Sequence, residues 1–119
     1  DDDSTWYDVC TANTVHVAKA WINFDGTGTV SIRDSYNVSS LTDHGTGIYE
    51  VSFTSAMPNN DYVVTASAIE DYSSATSRSP RLAGPTRAAP AVGSVHIASW
   101  ATNNSEYDVE ECHVHVIGD

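Results

Sequence analysis

The sequence predicts an all-β fold, a small antiparallel β-sandwich or Greek-key barrel of about six strands. Three observations carry this expectation. Leu occurs only at Leu41 and Leu82 and Met only at Met57, while Ser, Thr, Val, Tyr and Ile dominate, residues that suit a pleated sheet better than a helix. No stretch keeps apolar residues at helical spacing. Short apolar segments are instead separated by Asp-Gly, Pro-Asn and Asn-Asn punctuation. A chain of 119 residues fits a single domain and can bury a useful core without a metal or a disulfide.

Taken in order, residues 1–13 are an acidic N-terminal segment with no signal-peptide pattern at Asp1, Asp2 and Asp3. The first strand is expected over residues 15–24 (VHVAKAWINF), with Trp21 packed in a core or an interface. Asp25-Gly26-Thr27-Gly28 then reads as a hairpin turn. Residues 29–34 form the second strand, with Val30 and Ile32 alternating against Ser31 and Arg33, a pattern that suits burial of one face. Residues 37–47 read as a polar loop ending in His44-Gly45-Thr46-Gly47. The third strand, residues 48–54, places Tyr49, Val51 and Phe53 on one face and Glu50 and Ser52 on the other. Met57-Pro58-Asn59-Asn60 is a turn, and residues 62–69 are the fourth strand. Residues 70–93 carry Pro80, Pro85 and Pro90; because proline cannot donate to a ladder, they read as a long exposed loop or short edge segments. Residues 94–101 and 107–117 complete the strands, joined through Asn103-Asn104-Ser105.

Charge narrows the function classes. Sixteen acidic residues against five basic ones give a formal net charge of −11, and Lys19 is the only lysine. Nucleic-acid binding is disfavoured because it needs basic surface to replace counterions, and an anionic membrane surface is disfavoured for the same reason. No apolar stretch is long enough for membrane insertion as a helix. Self-repulsion of such a chain is relieved in saline surroundings. Cys10 and Cys112 leave two readings open, a disulfide or two free thiols with Cys112 packed as a small hydrophobe. There is no Ser-His-Asp context, phosphate-cradling glycine loop or CxxC, and no carboxylate pair stands out for acid–base work, so no catalysis is expected.

One stretch is more specific than composition. KAWINFDGTG at 19–28 continues directly into TVSIRDSYNVSSLTD at 29–43, then GTGIYEVSF at 45–53 and Ala56-Met57-Pro58. This resembles the C-terminal domain of bacteriophage tail fibre and related virion structural proteins, of the marine or cyanobacterial phage type. The ending Val114-His115-Val116-Ile117-Gly118-Asp119 is similar to the ends of those chains. The resemblance covers residues 19–69 closely and the last strand loosely. It implies a virion structural protein, on a tail fibre or the capsid surface. It implies a homotrimer at or near a receptor-binding tip, in contact with other virion proteins and with a host cell-surface polysaccharide or protein. It implies no catalytic residue. A purely architectural capsid decoration or fibre protein, and a secreted carbohydrate-binding module, stay open as alternatives.

Candidate contact residues follow from loops and aromatics. Arg78, Arg81 and Arg87 are three of the five basic residues and fall within residues 70–93, where a receptor or a neighbouring acidic subunit could be met. Trp6, in the acidic terminal segment, is the tryptophan best placed to meet a partner. In the last strand, His113 and His115 flank Val114, so alternation puts both imidazoles on one face with Glu111 and Ile117, and Cys112, Val114 and Val116 on the other. Lining a threefold axis, three such pairs would offer six nitrogens to iron, nickel or zinc. The His-x-His spacing is similar to the iron-binding motif at trimeric phage fibre and spike tips.

Overall fold

The computed structural model describes residues 18–71, 76–82, 89–100 and 105–118, with backbone only for 76–82. Among them lie eight strands: β1 (Ala18–Asp25), β2 (Ser31–Tyr36), β3 (Val38–Gly45), β4 (Ile48–Phe53), β5 (Val63–Asp71), β6 (Thr76–Leu82), β7 (Ser94–Trp100) and β8 (Glu111–Ile117). All pairings are antiparallel, in the order β2-β1-β8-β5-β6-β7-β4-β3. The chain is an all-β sandwich. Its front sheet is β2-β1-β8-β5-β6 and its back sheet is β6-β7-β4-β3.

Alternation decides which residues meet in the middle. Ala20, Ile22 and Phe24 of β1 and Cys112, Val114 and Val116 of β8 face Tyr49, Val51 and Phe53 of β4 and Val95 and Ile97 of β7. Phe24 and Tyr49 meet edge to face with ring centroids 5.0 Å apart. Cys112 is a free thiol inside this core, so it acts as a small hydrophobe; Cys10 lies outside the described residues.

Four sequence expectations are corrected. Residues 37–47 are not a loop, because Val38–Gly45 is β3, an edge strand paired to β4. Its Ser, Thr and Asp side chains carry no apolar alternation, and backbone pairing with a buried neighbour holds it instead. Residues 70–93 are not one exposed loop either. β5 runs on to Asp71, and β6 switches sheets, with Thr76–Arg78 opposite β5 and Ser79–Leu82 opposite β7. Pro80 is tolerated because, among the described residues, its half of β6 pairs with β7 alone. β2 is an exposed edge strand and not one buried on a face, although Val30 just before it packs on the core. Trp21 points out of the core, in phase with Lys19 and Asn23.

Two polar devices close the sandwich. Asn37, at a left-handed φ of 56°, turns the chain from β2 in the front sheet to β3 in the back sheet. Its Nδ2 donates to Lys19 O (2.9 Å) and Ser55 O (3.1 Å), and its Oδ1 accepts from Ser55 N (2.7 Å). At one end of the core, the buried Tyr49 hydroxyl lies 3.1 Å from Gly26 O and 3.2 Å from Asp108 Oδ1, and accepts from Val109 N at 3.3 Å. Gly47 N also donates to Asp108, at 2.8 Å. A Cβ at Gly26 would collide with the Tyr49 ring, and one at Gly47 would sit 2.7 Å from Tyr107 N and 2.8 Å from Tyr107 O.

Candidate functional site

The outer face of the front sheet gathers the exposed chemistry. Residues directly opposite one another across strands share a face, and the register builds two rows. Trp21, His115 and Thr65 form one row, extended by Tyr36 beside Trp21; Asn23, His113 and Ser67 form the next. Trp21, Asn23, Thr65, Ser67, His113 and His115 line an open groove of about 510 Å³. Trp21 is 37 % exposed within it; Tyr36 and Val63, outside its lining, are more exposed still. The Oδ1 of Asn23 is shielded from solvent yet accepts no hydrogen bond among the described residues. A wall of this kind offers an apolar ring, two imidazoles, two hydroxyls and an amide, groups that hold a polyhydroxylated ligand by stacking and hydrogen bonding.

Charges border the groove. His113 Nε2 lies 2.6 Å from Glu111 Oε2, and Arg33 reaches Glu111 Oε1 and Asp25 Oδ2, each at 3.7 Å. Partial burial pushes the Asp25 carboxyl upward, but hydrogen bonds from Thr27 and the Arg33 charge outweigh it and hold the pKa below its ordinary value. His113 and His115 do share the outer face with Glu111, while Cys112, Val114 and Val116 are buried beneath them. Within one chain the pair provides two imidazole donors, so a closed metal shell there would need residues from other subunits.

Of the other expected contact residues, Arg78 and Arg81 are described by their backbone alone. Arg78 sits opposite Ala68 in the part of β6 paired to β5, and Arg81 sits opposite Ala98 in the part paired to β7. They therefore occupy a sheet-to-sheet crossing, and not the apex of a loop. Arg87 and Trp6 lie outside the described residues.

A second cluster, which the sequence reading did not single out, lies on the outer face of the back sheet. His44 Nε2 is 2.8 Å from Glu50 Oε1, and His96 Nε2 is 3.6 Å from the same oxygen. The two imidazoles stack with centroids 5.1 Å apart at 30°. Hydrogen bonds from His44 and Ser94 hold the Glu50 carboxyl below its ordinary pKa, against a smaller upward push from burial. The short-range signal was His44 and Glu50 on either side of the Gly45-Thr46-Gly47 turn, readable only once β3 is known to be a strand. His96 joins them through the long-range register Glu50↔His96.

No protein-family model, curated protein or solved structure matches the chain.

Proposed function

We propose that this chain is a non-enzymatic binding domain of the phage tail-fibre type, which recognises a bacterial surface glycan through the outer face of its front sheet. The observation that carries the reading is the groove in which exposed Trp21 lies beside the side chains of Asn23, Thr65, Ser67, His113 and His115. A sugar ring stacks its C–H face on an indole, and its hydroxyls can bond to the exposed hydroxyls and imidazoles beside it. The virion setting and the trimer rest on the resemblance of residues 19–69 to tail fibre domains. The acidic surface agrees with a ligand that is not nucleic acid. On this reading subunits of the trimer meet away from the groove, since a face that lines a threefold axis cannot also admit a glycan.

Binding of the fluorescently labelled chain to panels of bacterial cells, before and after periodate oxidation of their surface glycans, tests this. Binding to some cells that disappears on oxidation and in Trp21→Ala is the expected outcome. Binding that survives both treatments, or no binding to any cell together with tight binding to other virion proteins, would replace the receptor reading with the architectural one.

A further inference from the structure

We infer that His44, Glu50 and His96 form a binding site for a divalent transition ion of the zinc class, which clips the edge strand β3 to β4 and β7. This site is on the opposite sheet from the glycan groove, and the inference stands independently of that reading. One ligand atom from each of the three residues lies within 4.8 Å of the others. Zinc–nitrogen and zinc–oxygen bonds of about 2.0–2.1 Å put tetrahedral ligand atoms roughly 3.3 Å apart. The separations of 2.8 and 3.6 Å around Glu50 Oε1 bracket that value, so the carboxylate is already the pivot of the set. An ion there takes the place of the hydrogen bond between His44 and Glu50.

Burial grades across the site in a useful order. The His96 side chain is 11 % exposed, Glu50 24 % and His44 39 %. Two ligands are therefore held by the sheet, and the third can rotate to close the set. Imidazole with one carboxylate suits zinc, nickel or copper better than magnesium or calcium, which favour all-oxygen shells. A fourth position stays open on the exposed His44 side for water or a partner's ligand. The net charge of −11 draws cations to the surface.

The arrangement also has a structural use. β3 has only Val38 and Leu41 as half-buried anchors, and its remaining side chains are exposed. Three ligands on three adjacent strands would hold this weakly anchored edge from the outside, as the core holds the others from within.

The full chain, freed of metal by chelation, is titrated with Zn²⁺ by calorimetry and with Co²⁺ by visible absorbance. We expect one ion per chain at this site, cobalt bands typical of four or five ligands, and increased hydrogen-exchange protection of β3 amides. His44→Ala removes an exposed side chain from an edge strand and should fold; it and the near-isosteric Glu50→Gln should each weaken binding at least tenfold. His113→Ala with His115→Ala should leave this ion in place. No saturable uptake, undiminished affinity in folded His44→Ala, or loss of the ion only in the His113/His115 variant would overturn the assignment.

Discussion

The end of the core around Tyr49 and the outer face around Trp21 use similar groups to opposite ends. At the core end, the buried hydroxyl of Tyr49, the half-buried carboxylate of Asp108 and the backbone of Gly26, Gly47 and Val109 share their hydrogen bonds. On the outer face, the indole, hydroxyls and imidazoles of the groove stand open, and Asn23 Oδ1, though shielded from solvent, has no partner among the described residues. A buried polar group that is satisfied fixes structure, because losing one partner strands the others. An exposed one is cheap to change and free to meet a ligand. On the proposed reading, stability and recognition fall on separate residues, and substitutions at the two places should separate them.

The largest effect is expected at Gly47. Its φ of 71° is left-handed, and an added Cβ would press on the backbone of Tyr107 and Ser99, which cannot swing aside as a side chain could. Left-handed strain and overpacking each cost about 1–3 kcal/mol, so Gly47→Ala should lose about 3 kcal/mol or more, read as a lower urea midpoint at unchanged slope. Tyr49→Phe comes next. It keeps the ring that packs on Phe24 but strands Gly26 O and Val109 N and takes a partner from Asp108, for a loss of about 1–3 kcal/mol. If either variant unfolds like wild type, the core end does not hold the sandwich as described.

How much of this was legible follows from which contacts are local. The faces of β4 and β8 could be read from alternation alone, because Tyr49, Val51 and Phe53, and Cys112, Val114 and Val116, alternate with polar partners. The same rule placed His113 and His115 together. Of the two places expected for Trp21, the core could have been excluded from its phase: Lys19 and Asn23 share it, while Ala20, Ile22 and Phe24 make the buried set. β3 and β6 left no local signature, since one is polar and the other contains proline, and each is a strand because of its neighbours. The His44–Glu50–His96 cluster was hidden for the same reason. It depends on β3 existing and on a pairing between β4 and β7 that no short window contains.

Alkali should probe the interior at a smaller scale. Burial raises the Cys112 thiol from 9.0 to about 12, and burial together with the Asp108 charge raises the Tyr49 phenol as well. For both groups the folded pKa lies above the unfolded one, so their contribution is complete at neutral pH and is lost as pH rises. The thiol acts first. Above pH 9 the unfolded state gains from ionising Cys112, at up to about 1.4 kcal/mol per pH unit, until the folded thiol titrates near 12. Urea midpoints should therefore hold steady from pH 7 to 9 and then fall, and Cys112→Ala should fall less steeply between 9 and 10. In a Cys10→Ser background, Cys112 should resist thiol reagents until the protein unfolds.

The smallest effect on stability, and the sharpest on recognition, is expected from His113→Ala combined with His115→Ala. Both side chains are exposed on β8, and exposed substitutions usually stay within about 0.5 kcal/mol. The 2.6 Å contact between His113 and Glu111 is at the surface, where such pairs contribute about 0–1 kcal/mol, and Glu111 keeps Arg33 at 3.7 Å. The unfolding midpoint should therefore barely move. Cell binding should drop at least tenfold, because two of the groups lining the groove are gone, while light scattering should give the wild-type subunit number. The opposite pattern is equally readable. If the double variant dissociates, and the wild type carries one iron, nickel or zinc ion per three chains that the variant lacks, the imidazoles face a threefold axis and the groove is a subunit contact. Retained assembly with lost binding keeps the face as the one that meets the host.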